Sequence, residues 1–482
     1  MFTKTNSTKM KTIFKSFLLL FVILNFTSIN AQTKLWGTKF DVDFKSEIDL
    51  QLVLSDNYNY YLASVINVDG MMASHQVIIR KFDQKNQLVD TFIQKFPLPD
   101  MFTLHNYLGG YQSGDDKFVV FTQGYSNKTK KNQIDKIVFD KKSGTFTNTT
   151  IAEFDILSMS KSGTMYSMMS QNGNYIGIVY QKYNTKKDPE ENECIVLDSK
   201  TLDVVWKKTI SFPIESYSND RIITNSGKFV FVRTVKEIGY NNVLAQVDAN
   251  GIENKDFGVP LKLQKPTAIS IGTQDYLVAF NYPAKGIRRG DFGSLMLYDL
   301  QLGKILQNND VEGFNAIKDI ADVVIRNVNI QNNEIHLFVD PKYKNGTKPD
   351  PTFPNSTFTV PVYFYGQSSL IVLGLDGKFK TKTSLNETGN VADIYNSFGL
   401  INYRGSYYLN LGNTSGFFKL NVPGFTREQK ASINVVYEDN EFKYGNYINQ
   451  FIHYYPDSNK LLLAKKYDDG KMVFVTYNDI KL

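Results

Sequence analysis

Hydrophobic and polar positions alternate along most of the chain at a period of two, in short runs broken by turn residues, and sustained helical periodicity is almost absent. The pattern predicts an all-β protein. In residues 228–235, Phe229, Phe231 and Arg233 alternate with Val230, Val232 and Thr234, so both sides of that strand are largely apolar. A strand with two apolar sides belongs to a sheet covered on both faces.

One hairpin recurs. An apolar strand ends in Asp or Asn, a short turn often containing Gly follows, and a second strand begins; the instances are 77–83, 136–140, 194–198, 243–248, 295–299, 370–376, 417–421 and 472–478. Their last residues are separated by 57, 58, 50, 51, 77, 45 and 57 positions, close to one four-stranded sheet per interval. After Asp198 the expected strands fall at 202–212, 221–224, 228–235 and 242–247. Repetition on this scale predicts a β-propeller of eight blades, with seven as the alternative.

An open fan of blades would leave apolar faces and strand edges unpaired, so the ring must close. Only residues 478–482 follow the last full strand, too few for an outer strand. Near the other end Phe40, Val42 and Phe44 alternate with Lys39, Asp41 and Asp43 without a hairpin partner. Residues 34–44 are therefore expected to be the fourth strand of the final blade, with residues 32–482 forming a single propeller domain.

The first 31 residues read as an export signal. Lys4, Lys9, Lys11 and Lys15 precede an apolar run over 17–24, and a polar stretch ends in Ile29-Asn30-Ala31, after which cleavage is expected. Eight apolar residues fall short of the ~20 that span a bilayer, and no other segment qualifies, so the mature chain has no expected membrane span. Removing the signal changes the charge argument: 54 basic and 48 acidic residues become 50 and 48. Near-neutrality argues against nucleic acid as a partner.

The single cysteine, Cys194, excludes a disulfide framework and a multi-cysteine metal site, and its apolar run predicts a buried, inert thiol. His75, His105, His336 and His453 fall in different repeats, so no metal and no cofactor is expected. The repeated Asp is read as a turn initiator rather than a calcium ligand, because no EF-hand spacing is completed. Gly110-Tyr-Gln-Ser-Gly114 lacks the spacing of a nucleophile elbow. No catalytic residue is nominated; enzymatic activity stays open, with a non-catalytic role favoured.

Connections entering the repeated strands are long, at 67–75, 124–135, 181–193, 281–293 and 340–366, and all belong to one end of the ring. They carry twelve basic against nine acidic residues, either as solvated charge or as a mildly basic face for an acidic partner. In the longest, Pro341, Pro349, Pro351, Pro354 and Pro361 stiffen a segment rich in aromatics, which either form a protein or glycan interface or fold back onto the ring. The candidate partner-binding residues are Lys128, Lys130, Lys131, Arg288, Arg289, Tyr343, Phe353, Tyr363, Phe364 and Tyr365.

The chain resembles the β-propeller superfold, in the broad group of WD40-like and quinoprotein-like eight-bladed rings. The WD40 dipeptides are absent, and Thr201-Leu-Asp-Val-Val-Trp206 is a single degenerate copy of the quinoprotein docking motif with Leu202 where Gly belongs, which disfavours a quinone-dependent dehydrogenase. The signal ending in Asn-Ala-Gln and the richness in Asn, Lys and Tyr resemble periplasmic proteins of bacteria with type IX secretion. That resemblance implies a periplasmic scaffold, monomeric within a hetero-complex, that engages a protein partner such as an outer-membrane complex and caps or gates a secretion translocon. Secretion is the alternative location. The alternative function is a polysaccharide-binding or polysaccharide-cleaving propeller with its site at the centre of the ring.

Overall fold

The computed structural model describes residues 34–482 except 45, 55–58, 67–74, 97–103, 127, 238, 284–293, 312–319, 350–358, 386–390, 393–397, 411–415, 422–423, 430, 435–445, 449–450, 468 and 481. The expected export signal lies outside the described residues.

Antiparallel strands pair in chain order into successive blades. Blade 1 comprises Glu47–Leu54, Asn59–Ile66, Gln76–Asp83 and Leu88–Lys95; blade 2 comprises Leu104–Ser113, Lys117–Ser126, Lys131–Asp140 and Thr145–Asp155. Blade 3 is built from Thr164–Met169, Tyr175–Gln181, Glu190–Asp198 and Val204–Phe212. Blades 4 and 5 share one 20-residue strand, Ile252–Ile271, whose first half pairs with Tyr240–Val247 and whose second half pairs with Gln274–Pro283. Blade 6 is centred on Glu334–Pro349 and Ser369–Gly374, blade 7 on Ser406–Asn410 and Gly416–Asn421, and blade 8 on Lys460–Lys466 and Lys471–Tyr477. The count is eight, which excludes the seven-bladed alternative.

The outer strand of blade 8 comes from the start of the described chain. Lys34, Leu35 and Trp36 lie opposite Tyr477, Thr476 and Val475, and Phe40 and Asp41 lie opposite Met472 and Lys471. Between them the Gly37 amide donates to the Phe474 carbonyl at 2.9 Å. Phe40 and Val42 point inward and are buried with Phe82, Phe474 and Leu462, so the alternation that predicted this strand is the alternation that packs it.

Each blade supplies apolar side chains to both neighbours. Phe229 and Phe231 pack toward blade 3 with Val179 and Val196, while Val230 and Val232 pack toward blade 5 with Leu277 and Met296. Comparable buried groups fill every seam from blade 1 around to blade 8. Helical turns among the described residues are short 3-10 segments such as Met159–Lys161 and Pro456–Ser458.

The recurrent aspartates end the third strands and start the turns with their side chains. Asp140 Oδ1 accepts from the amides of Lys142 and Ser143 at 2.9 and 3.0 Å, and Asp198 Oδ1 accepts from those of Lys200 and Thr201 at 2.9 and 2.8 Å. Asp83, Asp248, Asp299 and Asp376 act alike. These bonds hold the Asp140, Asp198 and Asp376 carboxyls below their ordinary range.

Two expected loops are instead strands. Only residues 127–130 separate Lys117–Ser126 from Lys131–Asp140, because the flanks keep pairing up to Ser126 opposite Lys131. In the 340–366 segment, Glu334–Pro349 continues outward and pairs with Thr359–Tyr365. The run of β-branched and aromatic residues at 358–365 favours extension, and Pro361 sits beside the register shift between Lys344 and Thr347, where a missing amide disrupts little of the ladder.

Candidate functional site

Strand alternation gives the ring two unlike ends. First-to-second and third-to-fourth strand turns emerge at one end, which is built of short turns. Second-to-third connections and the links between blades emerge at the other.

The sequence candidates fall on the long-connection end. Lys128 and Lys130 are exposed in the 127–130 turn, where Lys130 adopts a positive φ of 55°. Lys131 begins the next strand and forms an ion pair with Glu153 at 2.8 Å, which raises its pKa. In the blade 6 hairpin Tyr343 lies opposite Phe364, with Lys344 opposite Tyr363 and Lys342 opposite Tyr365. The hairpin thus brings four of the nominated aromatics together along two paired strands. Arg288, Arg289 and Phe353 lie outside the described residues.

Sequence reasoning missed a group of exposed apolar residues at the same end. Leu157 lies in the link into blade 3, Tyr183 in the second-to-third connection of blade 3, and Ile214 and Tyr217 at the entry to blade 4. These residues are exposed to 78%, 46%, 37% and 47%. The segments are tied together: Lys161 Nζ stands 5.8 Å from the centre of the Tyr183 ring, and Lys236 donates to the Lys186 carbonyl at 3.3 Å. A cue existed in the placement of large apolar residues within connecting segments, but such residues read equally as core.

Beneath this group lies a buried charged network. Glu190 accepts from the Ser218 amide at 2.8 Å and the Ser218 hydroxyl at 2.6 Å, faces Arg233 at 3.4 Å and Arg221 at 3.7 Å, and is almost fully buried. Burial pushes its carboxyl up, but the Ser218 bonds, the Arg233 charge and the Asn192 amide outweigh burial and hold it below its ordinary value. Arg221 stacks on Tyr166 with its guanidinium carbon 4.2 Å from the ring centre, and Arg233 stacks on Phe212 at 3.8 Å. The network joins blade 3, through Glu190 and Tyr166, to blade 4, through Ser218, Arg221 and Arg233.

The short-turn end carries a cavity of about 440 Å³ where blade 8 meets blade 1. Asn59, Tyr60 and Asn86 line it from blade 1, and Tyr455, Lys460 and Thr476 line it from blade 8. Its members are nearly 400 positions apart in the chain, so no local pattern announces it.

Among the described residues no group of three or more His, Cys, Asp or Glu side chains is placed to hold a metal ion. Burial pushes the Cys194 thiol far up, as its apolar run predicts. His336 is buried between Tyr407, at 2.7 Å, and Glu334, at 3.1 Å, and burial lowers His453. No described helix is long and apolar enough to cross a membrane.

No protein-family model matches the chain, and no curated protein matches it. Among solved structures it is similar to a protein of unknown function from Bacteroides caccae, at 9% identity over 70% of this chain and 98% of that one, with a TM-score of 0.28. It is also similar to the β-propeller domain of the Trilobed protease from Pyrococcus furiosus, at 10% identity over 71% and 97% of the two chains, with a TM-score of 0.33. An acylaminoacyl peptidase from Pyrococcus horikoshii aligns at 11% identity over 89% of this chain, with a TM-score of 0.37; this chain spans 59% of its length. The fold rests on the strand pairing itself, and none of these likenesses bears on activity.

Proposed function

We propose that this protein is an exported, non-catalytic binding scaffold that engages a protein partner through the long-connection end of its ring. The observation that carries the reading is that Leu157, Tyr183, Ile214 and Tyr217, all on connections at this end, leave large apolar surface in water around a charge-paired seam. Exposed apolar residues rimmed by charge mark interaction sites, and aromatic anchors on a stiff base lose little entropy on contact. The blade 6 hairpin, whose strands carry Tyr343, Tyr363, Phe364 and Tyr365 in sequence, belongs to the same end.

The export signal read in residues 1–31 supports a periplasmic location, with secretion as the alternative. The resemblance to proteins of type IX secretors supports a subunit of an outer-membrane complex that caps or gates a translocon.

The test is site-specific photo-cross-linking in cells that export the protein. A cross-linker at Leu157 or Tyr183 is expected to capture one discrete protein, and a cross-linker at Asn250, at the short-turn end, is expected to capture none. Equal capture from both ends, or none from the long-connection end, rejects this surface as the docking site.

A further inference from the structure

The cavity between blades 8 and 1 has two kinds of polar lining. Tyr60, Asn86 and Thr476 satisfy one another: the Tyr60 hydroxyl and the Thr476 hydroxyl both donate to Asn86 Oδ1, at 2.9 and 3.0 Å. The side chains of Asn59, Tyr455, Asp457, Ser458 and Lys460 also line the cavity, and among the described residues none of them has a hydrogen-bonding or ion-pair partner within the protein. Asn59, Tyr455 and Lys460 are half-buried, while Asp457 and Ser458 are exposed at the rim. Convergent polar groups without partners in the protein, gathered in a concave site with apolar walls, are the features of a small-molecule site.

The lining defines that ligand. One carboxylate and one ammonium cancel, so the site offers no net charge to an anion such as a phosphate or nucleotide. A wholly apolar ligand would strip water from five polar side chains and give nothing back. The Tyr60 and Tyr455 rings and buried Leu462 add apolar wall beside the amide, hydroxyl and charged groups. A neutral molecule with hydroxyls around its edge and apolar ring faces satisfies both. The volume, about 440 Å³, lies low in the range of roughly 300–1,000 Å³ for small-molecule sites, which suits a short sugar rather than a long polymer.

We infer that this seam cavity is a binding site for a neutral mono- or disaccharide unit, held by Asn59 from blade 1 and by Tyr455, Asp457, Ser458 and Lys460 from blade 8. Because the two halves come from the blades that close the ring, the sugar binds only the closed ring and stabilises it. The site is at the opposite end from the proposed protein-docking surface and does not depend on it.

Calorimetry and thermal unfolding of the protein with cellobiose, maltose and N,N′-diacetylchitobiose test the inference, with AMP and the apolar dye ANS as counter-probes. At least one disaccharide is expected to bind saturably and to raise the melting temperature in step with its concentration. Ser458→Trp, which fills the mouth, and Asp457→Ala are each expected to weaken that binding by at least about tenfold without changing the melting temperature of the free protein. If Ser458→Trp folds poorly, Asp457→Ala decides. Tyr183→Ala is expected to leave sugar binding intact while reducing partner cross-linking, which separates failure of one site from failure of the other. No binding by any disaccharide, preferential binding of AMP or ANS, or sugar binding indifferent to Asp457→Ala overturns the inference.

Discussion

The side-chain amide of Asn86 donates to the carbonyl oxygen of Leu35 at 2.8 Å, joining the third-to-fourth strand turn of blade 1 to the strand that closes blade 8. The same side chain accepts from Tyr60 and Thr476 and is almost fully buried, so one residue ties the closing strand, blade 8 and blade 1. Its φ of 59° is left-handed, a conformation that Asn tolerates better than most residues. Asn86→Ala removes three hydrogen bonds, strands two buried hydroxyls and strains the backbone. It is expected to lower stability by about 2–4 kcal/mol in urea unfolding, and a change below about 1 kcal/mol would remove Asn86 from the closure.

Gly37 makes a related prediction through space rather than bonding. A Cβ placed there would sit 2.0 Å from the Asn86 carbonyl oxygen and 2.7 Å from the Asn86 Cβ. Backbone cannot yield to that extent, so Gly37→Ala is expected to displace the closing strand and destabilise the protein by more than about 2 kcal/mol. Gly114→Ala is the control, since its φ is +56° but nothing lies within 4 Å; it is expected to cost about 1–2 kcal/mol from backbone strain alone. Equal effects at the two positions would show that the approach of Gly37 to Asn86 is not tight.

The aspartate turns give the protein an acid limit. The folded-state pKa of Asp140 and of Asp198 is depressed, so each adds stability that is complete above its unfolded value and is lost as pH falls through the lower folded value. Asp140→Asn and Asp198→Asn preserve an acceptor oxygen, and Asn421 and Asn478 stand at the matching positions of the sequence. The double variant is expected to lose less stability than the parent below about pH 4, with the turn retained at neutral pH. Parallel stability curves for the two proteins would contradict this.

How much of this was legible in the sequence depended on how local each determinant is. The strand ends were readable because an aspartate bonds amides two or three residues on, and the closing strand was readable because Phe40 and Val42 alternate with polar neighbours. The shared strand Ile252–Ile271 was not, because nothing within it marks where it leaves one blade and joins the next. The clasp at Asn86 and the seam cavity depend on residues that meet only when the ring shuts. Leu157 and Tyr183 resemble core residues until the structure shows them facing water.

Glu190 tests the base of the proposed docking surface. Glu190→Gln keeps the shape but leaves the Arg233 and Arg221 guanidinium groups buried without their counter-charge. A loss of about 3–5 kcal/mol at neutral pH is expected from chemical unfolding, with weakened cross-linking from Tyr183. A loss below about 1 kcal/mol would mean that the network does not stiffen the seam.

Closure of the ring by the segment 34–41 is the claim on which both ends depend, and backbone hydrogen exchange reads it directly. The amides of Leu35 and Gly37, which face the partner strand, are expected to exchange as slowly as those of the facing strand Lys471–Tyr477. Exchange of that segment at the rate of a free peptide, with Lys471–Tyr477 still protected, would contradict a ring closed in this way.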